Sequence, residues 1–245
     1  MRGSWLVVLG VILVAGCSSR PPAAPPSQAP PLTASPSPTF PAPEPSPRPK
    51  ADPQVRRIPD AQWRAMVAAG VVRADCPLGR ADLRRVEVNF HTFDGDVKRG
   101  VLVVNRDVAE QVAAIFTDVF KARFPMKSIR PIEEFDGDDN ASMAANNTSA
   151  YNCRTASQAN SKAYDSPHAN GRAVDINPVQ NPWLDPRCQC FMPTARHAER
   201  TPGRGKILQG GAVWEAFTAR GWIWQDLPTA DYQHFDTGYP SRPVS

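Results

Sequence analysis

The stretch Ser166-Pro167-His168-Ala169-Asn170-Gly171-Arg172-Ala173-Val174-Asp175-Ile176-Asn177-Pro178 decides how this chain is read. Gly171 permits a turn, and Ala173-Val174-Asp175-Ile176 has the composition of a strand that presents Asp175 to one side. His168 precedes Asp175 by seven residues, so a turn followed by a strand can bring the two side chains together. A catalytic zinc site needs three ligands of the histidine and carboxylate kind, with a fourth position left open for water. The third ligand is available downstream in Asp231-Tyr232-Gln233-His234-Phe235, where His234 lies on a second candidate strand. Asp231 sits three residues earlier, so a turn there brings its carboxylate beside His234 but off the metal. That is the place of a general base. A further segment, Asn147-Thr148-Ser149-Ala150-Tyr151-Asn152-Cys153-Arg154, ends on a permanently charged guanidinium.

The pattern S-x-H-x-x-G-x-A-x-D followed by D-x-x-H resembles the zinc D-alanyl-D-alanine carboxypeptidase family, which shares its fold with Hedgehog signalling domains. Within it the likeness is greatest to the branch of L-alanyl-D-glutamate endopeptidases and phage endolysins. The matching residues are Ser166, His168, Gly171, Ala173 and Asp175, then Asp231 and His234. The likeness runs from about Leu83 through Phe235 and takes in Phe93-Asp94-Gly95, Phe124-Pro125 and residues 138–154. The resemblance implies Zn2+ held by His168, Asp175 and His234, Asp231 as the base, and Arg154 stabilising charge on the substrate carbonyl oxygen. Many members carry Glu where this chain has Asp231; Asp is usual in the endopeptidase-like branch. Ser166 either hydrogen-bonds substrate or caps the turn before Pro167.

The implied activity is hydrolysis of peptidoglycan stem peptides, at the terminal D-Ala–D-Ala bond or an internal L-Ala–D-Glu bond. A catalytically silent wall-binding module on the same fold is the alternative. The complete set of three ligands, base and arginine favours the enzyme. The chain has no S-x-x-K of a serine carboxypeptidase and no H-E-x-x-H.

Upstream, residues 1–16 read as a signal sequence: Arg2, then an apolar run from Leu6 to Val14 too short to span a bilayer, then Ala15 and Gly16. Leu13-Val14-Ala15-Gly16-Cys17 resembles the bacterial lipobox, which implies lipidation of Cys17 and an extracytoplasmic, membrane-anchored protein. Fourteen of the 27 prolines fall between Pro21 and Pro53, so residues 17–54 are expected to form an extended tether. At about 3.1 Å per residue such a tether reaches on the order of 100 Å. The peptidase domain is placed at 55–240 with a tail at 241–245, and a monomer is expected. The charge of +4 is scattered and no basic stripe carries interleaved aromatics, so nucleic acid is not an expected partner.

Cys76, Cys153, Cys188 and Cys190 are an even count in an exported chain, which predicts two disulfides. Cys188 and Cys190 are too close for an easy mutual bridge, so each is expected to pair with Cys76 or Cys153. Periodicity predicts helices over 60–70 (capped by Asp60), 107–123 (with an Asp107/Glu110 capping box) and 211–220. Strands are predicted at 86–90, 101–104 after an Asp94-Gly95 turn, 129–135, 222–224 and 232–235, with a loop at 136–149. The irregular mixture argues for an α+β fold with a small antiparallel sheet. His91 and His197 match no motif and are read as structural or exposed, and Asn177-Pro178 and Asn181-Pro182 as shaping the loop after the metal strand.

Overall fold

Alternating apolar residues build the first sheet. A computed structural model describes residues 49–154, 165–224 and 230–238 of the chain. The expected signal sequence, Cys17, nearly all of the expected tether and the tail lie outside the described residues. Strands β1 (Gln54–Arg57), β2 (Leu83–His91) and β3 (Val97–Asn105) form an antiparallel sheet in that order. The β2–β3 hairpin runs from Leu83 opposite Asn105 to His91 opposite Val97, so both strands are longer than their apolar stretches alone indicate. The fold also begins earlier than expected. Ala51 is buried and its carbonyl accepts from the Asn89 amide at 2.8 Å, which places residues 49–54 in the folded domain and not in the tether.

Helix α1 (Asp60–Ala68) connects β1 to β2, and helix α2 (Ala109–Lys121) follows β3. Neither uses the expected cap. Pro59 and Val108 occupy the N-cap positions without side-chain capping. Asp60 and Asp107 are drawn instead to Arg80 and Arg172, each with a 2.5 Å contact. The apolar stripe of α2, Val112, Ile115, Phe116 and Val119, packs with Val86, Val88 and Phe90 of β2 in the main core.

The stretch predicted as a strand at 129–135 is cut short. Strand β4 (Ser128–Ile129) ends before Pro131, which has no N–H to give a ladder, and a 3-10 turn spans Ile132–Phe135. The expected loop at 136–149 contains helix α3 (Asp139–Ala144) and strand β5 (Asn147–Thr148), which pairs parallel with β4. Asp138 caps α3, its carboxylate accepting from the amides of Asn140 and Ala141 at 2.8 and 3.2 Å.

Strand β6 (Ala173–Asp175) opens the second half. The hairpin of β7 (Trp183–Asp185) and β8 (Cys190–Met192) follows, then α4 (Ala212–Thr218), β9 (Ile223–Trp224) and β10 (His234–Asp236). A second antiparallel sheet has the order β6-β10-β9. The architecture is α+β as expected, but the described strands form several small sheets, one of them parallel. Side chains alternate on β10, so Phe235 points into the core, stacked on Phe217 of α4 at 4.1 Å, while His234 and Asp236 face the other way.

Two disulfides form, with a pairing other than the expected one: Cys76–Cys153 and Cys188–Cys190. The reversal at the β7–β8 turn explains the second. Gln189 adopts a left-handed φ of +54°, which folds the chain back and brings the two flanking Cα atoms to 5.2 Å.

Candidate metal centre

The turn that carries His168 is built by its own sequence. The Ser166 carbonyl accepts from the Asn170 amide at 3.0 Å, and the Ser166 hydroxyl accepts from the Ala169 amide at 3.4 Å. Ser166 is buried, so of its two expected roles the turn takes the side chain and a substrate contact is left without support. Gly171 closes the turn at φ +63°, and its carbonyl accepts from the Asn105 amide at 2.8 Å. A Cβ there would lie 2.5 Å from that same amide nitrogen. Gly171→Ala is therefore expected to cost at least about 1–2 kcal/mol from the left-handed backbone alone. It should also weaken metal binding, because the turn positions His168. Thermal unfolding read beside metal content checks both.

Sheet register supplies the rest. His234 of β10 stands directly opposite Asp175 of β6. His168, Asp175 and His234 are 2, 3 and 8 % exposed, so their charges are little screened by water. The His168 Nε2 lies 3.0 Å from His234 Nδ1 and 3.2 Å from Asp175 Oδ2. The His234 Nδ1 lies 2.9 Å from Asp175 Oδ1. All three ligand atoms fall within 4.8 Å of one another.

The outer contacts fix the tautomers. His168 Nδ1 lies 2.6 Å from the Ala150 carbonyl, and His234 Nε2 lies 3.1 Å from Asp236 Oδ2. Both partners are acceptors, so each accepts an N–H from its imidazole, and with a cation at the centre His168 Nε2 and His234 Nδ1 would be left to face it together with the Asp175 carboxylate. Three electron-pair donors converging in a buried site fit a divalent cation. The charges agree. Burial opposes ionisation of Asp175, yet His168 and His234 hold its carboxyl well below the usual range. Burial also opposes a charge on His234, yet Asp175 and Asp236 hold it well above the ordinary imidazole value. The cluster calls for positive charge at its centre.

Asp231 ends up in the same cluster. A turn ties its carbonyl to the His234 amide at 3.2 Å, as the three-residue spacing predicts. Its Oδ1 is buried and has no hydrogen-bond partner among the described residues. Burial raises its carboxyl to about 7; Asp175 and Asp236 push the same way, against the pull of His234 and Arg154. Arg154 lies at the Asp175 edge, its Nη2 3.4 Å from Asp175 Oδ2 and its Nε 2.8 Å from Asp139 Oδ2. Burial disfavours its charge, but Asp139, Asp175 and Asp231 more than compensate.

Three groups escaped sequence reasoning. Asp236 was legible as a carboxylate two residues beyond His234 on one strand face. Asp139, whose other oxygen accepts from Asn152 Nδ2 at 3.2 Å, lies in a segment read as loop. The Ala150 carbonyl has no side-chain signal at all. Asn177 and Asn181 do shape the loop after β6: both donate to the Gly205 carbonyl, at 3.2 and 3.0 Å. His91 is buried against Phe120, and His197 lies on a 3-10 turn; neither belongs to the centre.

Fold and site define an α+β domain holding a buried two-histidine, one-aspartate candidate metal centre with a flanking carboxylate. Residues 159–237, about a third of the chain, match the family model described as D-alanyl-D-alanine carboxypeptidase. The matched span contains His168, Asp175, Asp231 and His234; Arg154 lies just before it. Comparison with curated proteins and with solved structures gives no match.

Proposed function

We propose that this chain is a zinc-dependent peptidase of the Hedgehog/DD-peptidase fold that hydrolyses peptidoglycan stem peptides, at the D-Ala–D-Ala or the L-Ala–D-Glu bond. The observation that carries the reading is the convergence of His168 Nε2, His234 Nδ1 and the Asp175 carboxylate on one buried point. Zn2+ held there supplies Lewis-acid polarisation of the scissile carbonyl and a lowered pKa for water. Asp231, with Oδ1 left without a protein partner among the described residues, takes the proton of the attacking water and returns it to the leaving amine. Arg154 Nη1, which has no hydrogen bond among the described residues, is the donor available to the substrate carbonyl oxygen as charge develops. Asp236 and the Ala150 carbonyl keep the imidazoles in the ligating tautomers.

Purified under metal-replete conditions, the protein is expected to hold about one zinc per chain, as a single three-ligand site requires. Elemental analysis finding none in folded protein would overturn the assignment. Mass analysis of products from defined stem peptides tells which bond is cut; no cleavage of any of them by zinc-loaded protein would leave a wall-binding role in its place.

The same reading has the chain exported, lipidated at Cys17, anchored as a monomer to the outer face of a bacterial membrane, and tethered by its Pro-rich segment. Cys17→Ala is expected to move the protein from the membrane fraction to the soluble fraction. Retention in the membrane after signal cleavage would show a different anchor.

A further inference from the structure

Strand pairing gathers arginines on the first sheet. In the β1–β2 ladder Val55 stands opposite Val86 and Arg57 opposite Arg84, while Gln54 faces Glu87 and Arg56 faces Arg85. Side chains alternate, so Arg57 and Arg84 share the face of Val55 and Val86, and Arg56 and Arg85 lie on the other. Like charges directly opposite each other destabilise an antiparallel ladder unless something neutralises them.

The two faces differ in how they meet this cost. On one, Glu87 lies 2.8 Å from Arg85 Nε, and Gln62 accepts from Arg85 Nη1 at 3.0 Å. On the other, neither Arg57 nor Arg84 forms an ion pair with a described residue. Arg84 donates only to the carbonyls of Ala81 and Leu83, at 3.1 and 2.8 Å, and Arg57 has no side-chain partner among the described residues. Two more arginines close the space around them. A cleft of about 470 Å3 is lined by Arg57, Ile58, Arg80, Ala81, Arg84 and Arg106. Among the described residues only two carboxylates attend these four guanidiniums: Asp60, 2.5 Å from Arg80, and Asp82, a loose 3.7 Å from Arg106.

We propose that this cleft is an oxyanion site that takes a phosphate or carboxylate group between Arg57 and Arg84, with Arg106 and Arg80 at its edge. A guanidinium presents parallel N–H donors that match the oxygens of either group, and a shared anion converts the like-charge pair from a repulsion into a clamp. The cleft lies on the first sheet and its binding does not depend on the metal chemistry proposed for the β6–β10 sheet.

The test titrates the full-length protein with inorganic phosphate and, separately, with succinate in low-salt chloride buffer, following thermal unfolding and calorimetric binding. Saturable stabilisation by at least one of the two is expected, and comparing them tells which class the cleft prefers. Arg57→Gln combined with Arg84→Gln should weaken binding at least tenfold and raise the melting temperature in anion-free buffer. Arg56→Gln should leave binding unchanged. Arg106→Gln alone, a milder change, should weaken it several-fold and serves if the double variant does not fold. No saturable effect of either anion, binding that survives the Arg57/Arg84 or Arg106 change, or equal weakening by Arg56→Gln would each overturn the proposal.

Discussion

Asp231→Asn is expected to keep its metal and lower stem-peptide hydrolysis by roughly 10²-fold or more, whereas His234→Ala loses metal and activity together. The separation follows from geometry. His234 Nδ1 lies within 3.0 Å of both other ligand groups, so removing it dismantles the centre. Asp231 contributes no atom to that triangle; its Oδ1 is buried and has no hydrogen-bond partner among the described residues. Asparagine preserves the shape and removes the ability to carry a proton. Zinc content measured beside hydrolysis for both variants decides the matter. Loss of zinc from Asp231→Asn as complete as from His234→Ala would make Asp231 a ligand, and near-normal hydrolysis would place the base elsewhere. Arg154→Ala separates the roles less cleanly, because the guanidinium also neutralises Asp139 and Asp175. Its loss removes the cation beside both buried carboxylates, so both metal affinity and rate should fall.

The two disulfides should differ sharply in worth. Cys76–Cys153 closes a loop of sequence separation 77, and Cys188–Cys190 one of separation 2. On the chain-entropy account, removing the first by Cys76→Ser with Cys153→Ser costs about 4.5 kcal/mol, and removing the second about 1–2 kcal/mol. The first loss also reaches the site. Cys153 adjoins Arg154, and Arg73 holds this corner by donating to the carbonyls of Cys153 and Arg154 at 2.5 and 3.4 Å. Denaturant unfolding of the two double variants measures the contrast, and equal losses would contradict the loop-length argument. The Cys76/Cys153 variant should also show reduced hydrolysis, whereas the Cys188/Cys190 variant should not.

The chain's own residue order determined a good deal. The turn at Gly171, the strand carrying Asp175, the centre of the β2–β3 hairpin and the apolar stripe of α2 follow from local rules: glycine's freedom at positive φ, period-two alternation and helical spacing. His168, Asp175 and His234 were legible because metal chemistry restricts the residue types and the motif spaces them distinctively. Local capping rules failed where a distant partner offered more. Asp60 and Asp107 left their helix starts for Arg80 and Arg172, ion pairs that no nearby sequence announces. The same holds for Asp139, which meets Arg154 only because α3 folds against it.

Tertiary structure alone decided the cysteine pairing and the tautomers. Spacing argued against a Cys188–Cys190 bridge because the two lie so close in sequence; the left-handed turn at Gln189 removes that obstacle. The proton positions on His168 and His234 depend on the Ala150 carbonyl and on Asp236. A backbone carbonyl has no letter in the sequence. Only packing could aim it at an imidazole eighteen residues away and leave the other nitrogen facing the centre.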